Sequence, residues 1–344
     1  MVSAGFKCSL LVSDGKGDEK KDGIKIIDAG FVPKGRRERI LKVKRIIFEK
    51  AKEINAEIYH FHDPELIPVG LELKKLGKKV IYDVHEDVPR QILSKPYIPR
   101  FIRPAVSKLF EIYENRAAKR FDGIVAATPF IRDRFLKLNP NTVDVNNFPK
   151  LSEFLVPVSW KERRNEICYI GGISRIRGIV ELVKSLEYID ITLHLAGNFE
   201  SEKLKNEVMT LPGWKKVKYY GFVDRNNVKE ILSSVKIGVI PLHPVKNYLD
   251  SLPIKMFEYM AAGLAVIASD FPLWQEIVEK HKCGICVDPF SPRAIAIAVK
   301  KLLEEDAIAK EMGINGRKLV ETKYNWETEE KKLISLYEKL GEEQ

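Results

Sequence analysis

The stretch Asp250–Asp270, "DSLPIKMFEYMAAGLAVIASD", sets an acid and a proline ahead of an apolar helix, stops that helix at Gly263, and resumes as a short β-branched run. A helix, a glycine turn and a strand of buried type make part of a strand–helix repeat, and the rest of the chain continues it. In the second half "EICYIGGI", "ITLHLAGN", "KVKYYGFV", "KIGVIPL", "AVIASD" and "GICVDP" read as strands separated by helices. In the first half "CSLLVSD", "EIYHFHD", "KVIYDVHE" and "DGIVAAT" alternate with "RILKVKRIIFEKAKEI" and "PAVSKLFEIYENRAAKRF". The last of these has Val106, Leu109, Phe110, Tyr113 and Ala117 at helical spacing. Such alternation predicts parallel sheets covered on both faces. At "VNNFPKLSEFLVP" the periodicity breaks around prolines, which marks a linker. The expected fold class is α/β, with two Rossmann-like doubly wound domains facing a cleft and ligands beyond the carboxyl ends of the strands. His62, His85, Thr128, Gly171, Gly172, Gly197, Gly221 and Asp250 all fall at such ends.

The 344 residues suffice for two such domains. With 45% hydrophobic and 31% charged residues the composition is that of a globular protein. No run of about 18 apolar residues predicts a membrane span, and the start "MVSAGFKCSLLVSDG" lacks the flanks of a secretory signal. Four cysteines, Cys8, Cys168, Cys283 and Cys286, do not make a disulfide framework, which fits a cytoplasmic protein. The net charge is +10, with much of the basic excess in the first half. One cluster runs Lys34, Arg36, Arg37, Arg39, Lys42, Lys44 and Arg45; another holds Arg100, Arg103, Lys108, Arg116, Lys119 and Arg120. Nucleic acid, an anionic membrane surface and phosphorylated small molecules would all be attracted, and so would plain solvent around charged helix faces. The interleaved aromatic–basic motifs of nucleic-acid modules are lacking, and no nucleic-acid partner is expected.

Chemistry concentrates in three places. "YIGGISRIRG", Tyr169–Gly178, puts Gly171 and Gly172 after a strand and Arg175 and Arg177 before a helix. Glycines let backbone approach a ligand, and two guanidinium groups clamp a diphosphate. The spacing is neither that of a dinucleotide fingerprint nor of a P-loop. In "DSLPIKMFEYMAAG", Pro253 suits a helix start and Asp250 or Ser251 suits its cap. Capping leaves Glu258 unexplained, and Lys255 in the first turn opposes the helix dipole unless an anion compensates it. A sugar nucleotide diphosphate satisfies both, with phosphates on Lys255 and ribose hydroxyls on Glu258. "YDVHED" ends a strand with His85, placed to bond a sugar hydroxyl or its own loop. A metal reading of His62, Asp63 and Glu65 matches no ordinary ligand spacing, and no metal or cofactor is expected. "CGIC" (Cys283–Cys286) reads as core rather than as a redox pair, because no second such motif exists.

On these residues the chain resembles glycosyltransferase family 4, retaining enzymes of the GT-B fold. "YIGGISRIRGIVELVKSL", "LAGNF", "YYGFVDRNNVKEILSSVKIGVIPL", "SLPIKMFEYMAAGLAVIASDFPLWQEIV" and "CGICVDPFSPRAIAIAV" look like its donor-domain motifs in order, and "HFHDPELIPVGLELKKLGKKVIYDVHE" and "NNFP" extend the match. It looks most like the branch that builds surface polysaccharides. The resemblance implies an acceptor-side domain over 1–148, a nucleotide-sugar donor domain over 149–324, and a helix over 325–344 packing back on the first domain. It places Glu258 on the ribose, Arg177 on the diphosphate with Arg175 as partner, and His85 on the donor sugar. It also places Phe222 and Val223 by the base, and Gly172, Ser251, Leu252, Pro253 and Lys255 among the donor contacts. Asp250 matches a catalytic position usually held by glutamate. "VSAGFKCSLLVSDG" looks like the end of the family's first helix and its second strand, so an opening strand–helix unit of about 30 residues is expected to be absent.

The implied reaction moves a hexosyl or N-acetylhexosaminyl group from a nucleotide-diphosphate sugar, with retention, to a glycan or lipid-linked acceptor. Side chains rather than a divalent metal stabilise the leaving phosphate. The basic first domain suits peripheral docking on the inner face of the cell membrane. The alternative is a catalytically impaired nucleotide-sugar-binding or partner protein of the same fold.

Overall fold

The computed structural model describes residues 1–32, 44–95, 97–154 and 159–342. The basic residues Lys34 to Lys42 and the end of the proline-rich linker lie outside them. The chain forms two units, Met1–Asn146 with Glu329–Gln344, and Asn147–Thr328.

In the first unit β4 (Ile58–His62), β5 (Lys79–Val84), β6 (Gly123–Ala126) and β7 (Thr142–Asp144) follow β1 (Ser9–Val12), β2 (Glu19–Lys21) and β3 (Ile24–Asp28). The later four make a parallel sheet in the order β4-β5-β6-β7. Strand periodicity divides its faces. Tyr82, Val84, Ile124 and Ala126 pack under helices through Ile67, Leu73, Ala118 and Phe135. Ile81 and Val125 meet Leu336 and Leu340 of the last helix. The earlier three form a separate sheet in which β1 and β3 run parallel and β2 pairs β3 as a hairpin. Its turn is Asp22-Gly23, both at positive φ (50° and 81°), the Asp-Gly signature of a two-residue hairpin.

The second unit is a six-stranded parallel sheet in the order β10-β9-β8-β11-β12-β13. Its strands are β8 (Arg164–Ile170), β9 (Leu193–Ala196), β10 (Val217–Gly221), β11 (Val235–Ile240), β12 (Ala265–Ser269) and β13 (Gly284–Val287). The order runs outward from β8 in one direction and from β11 in the other, so the topological switch lies between them. Both faces are covered: Ile167, Tyr169, Leu193 and Val239 on one, Cys168, Ile170, Ile240 and Val266 on the other. That double burial is why these strands read as continuous apolar runs. Side-chain caps start several helices, among them Ser201 before Glu202–Met209, Asp224 before Arg225–Ser234 and Ser291 before Pro292–Glu304.

In the helix Arg103–Ala118 the apolar spacing holds in part: Ala117 is buried and Val106 and Phe110 are half-buried, whereas Leu109 and Tyr113 are exposed and Glu114 and Ala118 are buried. The carboxylate of Glu114 is held by the Tyr82 hydroxyl at 2.9 Å and by the Arg134 guanidinium. Cys283 and Cys286 are free thiols whose burial pushes both up to about 12, so neither is a thiolate at neutral pH.

Candidate functional site

The switch point of the second sheet collects the residues of interest. After β8 the backbone turns through Gly171 at φ 124°. A one-turn 3-10 segment, Arg175–Arg177, then leads into the helix Ile179–Ser185. After β11 the chain passes through the four-residue helix Lys246–Leu249 into Ile254–Ala261. The residue at the start of that second helix is Pro253, and no side chain caps it. Capping by Asp250 or Ser251 is therefore corrected: Asp250 ends the preceding helix and is exposed, and Ser251 Oγ donates to the Tyr248 carbonyl at 2.9 Å. The first-turn N–H groups of Ile254–Ala261 keep no side-chain partner, which leaves the positive end of the helix unopposed.

Lys255 lies at this end. Its Nζ is shielded from solvent and has no hydrogen-bond partner. It sits 3.9 Å from the centre of the Tyr169 ring, and a methyl group at Gly171 would come within 2.9 Å of it. Burial, aided by the nearby Arg177 charge, pushes its pKa down to about 7, against the pull of Glu258. Arg177 reaches the same place from the other side. Its Nη1 donates to the Gly172 carbonyl at 3.1 Å, and its Nε donates to Tyr248 Oη at 3.4 Å. Two cations and a helix start thus converge beside a glycine turn with no carboxylate of their own.

Glu258 follows Lys255 by three residues, so both project from one side of the helix. It is buried, and Arg225 binds its Oε1 at 2.5 Å and Glu153 Oε2 at 2.6 Å. Arg225 and Glu153 had no signal in the sequence. They line, with Glu258, Phe148, Ile254 and Trp326, an open pocket of about 330 Å³. Phe222 is strongly exposed in the loop after β10, and Val223 and Leu252 rest against the core. Arg175 does not join the cluster: its guanidinium pairs with Glu207 on the surface. The pairing of Arg175 with Arg177 is corrected accordingly, because a carboxylate 32 residues away takes its charge.

His85 belongs to the first unit, just beyond β5. Its Nε2 lies 2.7 Å from His62 Nδ1 and 3.7 Å from Asp83 Oδ1. Asp83 also meets His60 Nε2 at 3.0 Å and His62 Nδ1 at 3.2 Å. The neighbours of the His85 ring are therefore His62 and Asp83 rather than its own loop.

Two family descriptions match the chain in succession. Residues 1–145 match Glycosyltransferase Family 4, and residues 153–319 match glycosyl transferases group 1. An uncharacterized glycosyltransferase of Methanocaldococcus jannaschii is 27% identical over 202 residues, which are 54% of this chain and 50% of that protein. The chain thus spans about half the length of that relative. The phosphatidyl-myo-inositol mannosyltransferase of Mycobacterium tuberculosis is 23% identical over 82% of this chain and 73% of its own. Among solved structures, sucrose-phosphate synthase from Thermosynechococcus elongatus superposes with a TM-score of 0.76 at 19% identity, covering 100% of this chain and 91% of that one. The Anabaena protein HepE, solved with UDP-glucose, gives 0.70 at 15% identity over 98% and 99%. With a family 4 domain followed by a group 1 domain, the chain belongs to the glycosyltransferases of the GT-B fold.

Proposed function

We propose that the protein transfers a hexosyl or N-acetylhexosaminyl group from a nucleotide-diphosphate sugar to a glycan or lipid-linked acceptor, with retention, in cell-surface polysaccharide synthesis. The observation that carries this reading is the shielded, unpartnered Lys255 ammonium beside Arg177 and an uncapped helix start. A buried cation without a partner is costly, and a diphosphate is the group whose charge and size match this one. Support for the nucleotide sugar comes also from HepE, an Anabaena protein of the same fold solved with UDP-glucose.

The chemistry follows from where charge grows. As the glycosidic bond breaks, negative charge collects on the leaving phosphate, and Arg177, Lys255 and the helix N–H groups are already aimed there. No protein nucleophile is needed if the leaving phosphate takes the acceptor proton on the same face. Arg225 occupies Oε1 of Glu258, and the second oxygen is the acceptor we assign to the ribose diol. Asp250 is exposed, and its part in the reaction rests on the motif match alone.

Titration calorimetry with UDP, GDP and ADP tests the donor site directly, and product analysis with the corresponding sugars tests transfer. Arg177→Ala is expected to raise the donor KM and lower kcat, because the charge it meets is larger in the transition state. Unchanged kinetics would remove Arg177 from the site. Nucleotide binding without any transfer would instead favour a nucleotide-sugar-binding role.

A further inference from the structure

We propose that His60, His62 and Asp83 form a site for a divalent transition metal that keeps an open fourth position, with Zn²⁺ as the probe. This goes beyond the transfer reaction and does not rest on it.

Strand geometry builds the site. β4 and β5 are adjacent and parallel, with His62 opposite Asp83. The period of two puts His60 and His62 on one face of β4, and Asp83 on the same face of β5, with His85 just beyond that strand's end. Phe61 and Tyr82 turn to the other face, where their rings stack at 5.0 Å in the core. Three metal-ligating side chains thus share one patch at the carboxyl end of the sheet.

The spacing suits a small cation. One atom each from His60, His62 and Asp83 falls within 4.8 Å of the others. Asp83 Oδ2 stands 3.0 Å from His60 Nε2 and 3.2 Å from His62 Nδ1. Zinc–nitrogen bonds of about 2.0–2.1 Å imply tetrahedral edges of about 3.3 Å, close to both. Two imidazoles and a carboxylate, with a water in the fourth place, are also a donor set that borderline divalent ions accept. The outer shell is in place as well. Tyr337 Oη lies 2.8 Å from His60 Nδ1, the contact that fixes a ligating histidine's tautomer and ring plane.

The resemblance gives His85 to the donor sugar, and its Nε2 lies 2.7 Å from His62 Nδ1, so a metal on His62 crowds that ring. Zn²⁺ should therefore inhibit transfer, and a chelator should restore it. Binding itself is the primary test, with tag-free protein stripped by chelator and titrated with Zn²⁺ by calorimetry. One equivalent is expected, weakened about tenfold or more by His62→Ala and by Asp83→Asn, and about 10–100-fold by Tyr337→Phe. His281→Ala, far along the chain and with its ring Nδ1 on the Glu276 carbonyl, is expected to bind as the parent does. Co²⁺ substitution should give a four-coordinate visible spectrum without a thiolate charge-transfer band, which separates this site from the cysteines. No stoichiometric uptake by the parent protein, or uptake untouched by His62→Ala in a chain whose circular dichroism is unchanged, would overturn the proposal.

Discussion

Burial and the Arg177 charge hold the Lys255 ammonium down at about 7 in the folded chain, against an ordinary value of 10.5. Between those two values the unfolded chain binds one proton more than the folded one. Stability should therefore rise with pH from about 7 toward 10, because the penalty for the buried charge is fully present below 7 and is relieved above it. Lys255→Met removes the penalty. It is expected to stabilise the protein by about 1–3 kcal/mol at pH 7 in urea unfolding and to flatten that rise. The same change should weaken nucleotide diphosphate binding by about tenfold or more, one lost charge-assisted contact. At pH 8 the parent should take up nearly one proton on binding the nucleotide, read by calorimetry in two buffers of different ionisation enthalpy, and the Met variant none. A variant that is less stable and binds normally would show that Lys255 is structural. The sequence displayed this residue because a lysine in a first helical turn breaks a local rule. It hid Arg225, whose partners Glu153 and Glu258 stand 72 and 33 residues away. It misdirected Arg175, whose partner Glu207 lies on another helix.

At the scale of elements, the site depends on how closely the loops after β8 and β9 approach. Gly197 has φ 137°, and a Cβ there would stand 2.0 Å from the Gly171 carbonyl oxygen. That is backbone against backbone, so Gly197→Ala should destabilise the second unit by upward of about 2 kcal/mol. Gly172 differs, since its φ is ordinary and its Cβ would meet only the end of Arg177, at 2.6 Å from Nη1. Gly172→Ala is expected to leave the melting temperature nearly unchanged and to weaken nucleotide binding by displacing that guanidinium. Thermal melts and calorimetry on the pair check the contrast, and equal effects on both readouts would refute it. Strands buried on both faces were legible as apolar runs, and all ten expected strands appear within a few residues of their predicted bounds. β2 and β7 were not, being three residues each, nor was β3, which is buried only at Ile27; in "EKKDGIKIID" only the Asp-Gly turn announces the hairpin. The sheet order was beyond the strands themselves, because the switch between β8 and β11 is set by crossovers that leave no local mark. The burial of Glu114 in Arg103–Ala118 was beyond periodicity for a similar reason: Tyr82 and Arg134 await it.

For the whole molecule, the apolar side chains left exposed in and before this helix bear on where the protein works. Phe101, Leu109 and Tyr113 are exposed in the first unit, with Phe101 at 84% and Leu109 at 68%. Arg100, Lys108, Arg116, Lys119 and Arg120 are exposed in the same segment. No helix of the described residues is long and apolar enough to cross a membrane. Apolar side chains interleaved with cations are the composition of a surface that lies on an anionic bilayer, and a net charge of +10 adds long-range attraction. The two forces separate by experiment. The electrostatic part decays as the screening length falls from about 10 Å at 0.1 M salt to about 3 Å at 1 M. The apolar part does not, and inserting a leucine side chain is worth about 1.5–3 kcal/mol. Co-sedimentation with phosphatidylglycerol vesicles should therefore weaken steeply with salt, and neutral phosphatidylcholine vesicles should bind little at any salt. Leu109→Ser, at an exposed position, should reduce vesicle binding about tenfold or more at low salt and leave nucleotide binding and folding as they were. Equal binding by the Ser variant and the parent would make the exposed face a matter of charge alone, and no binding to anionic vesicles at low salt would overturn the expected docking on a membrane.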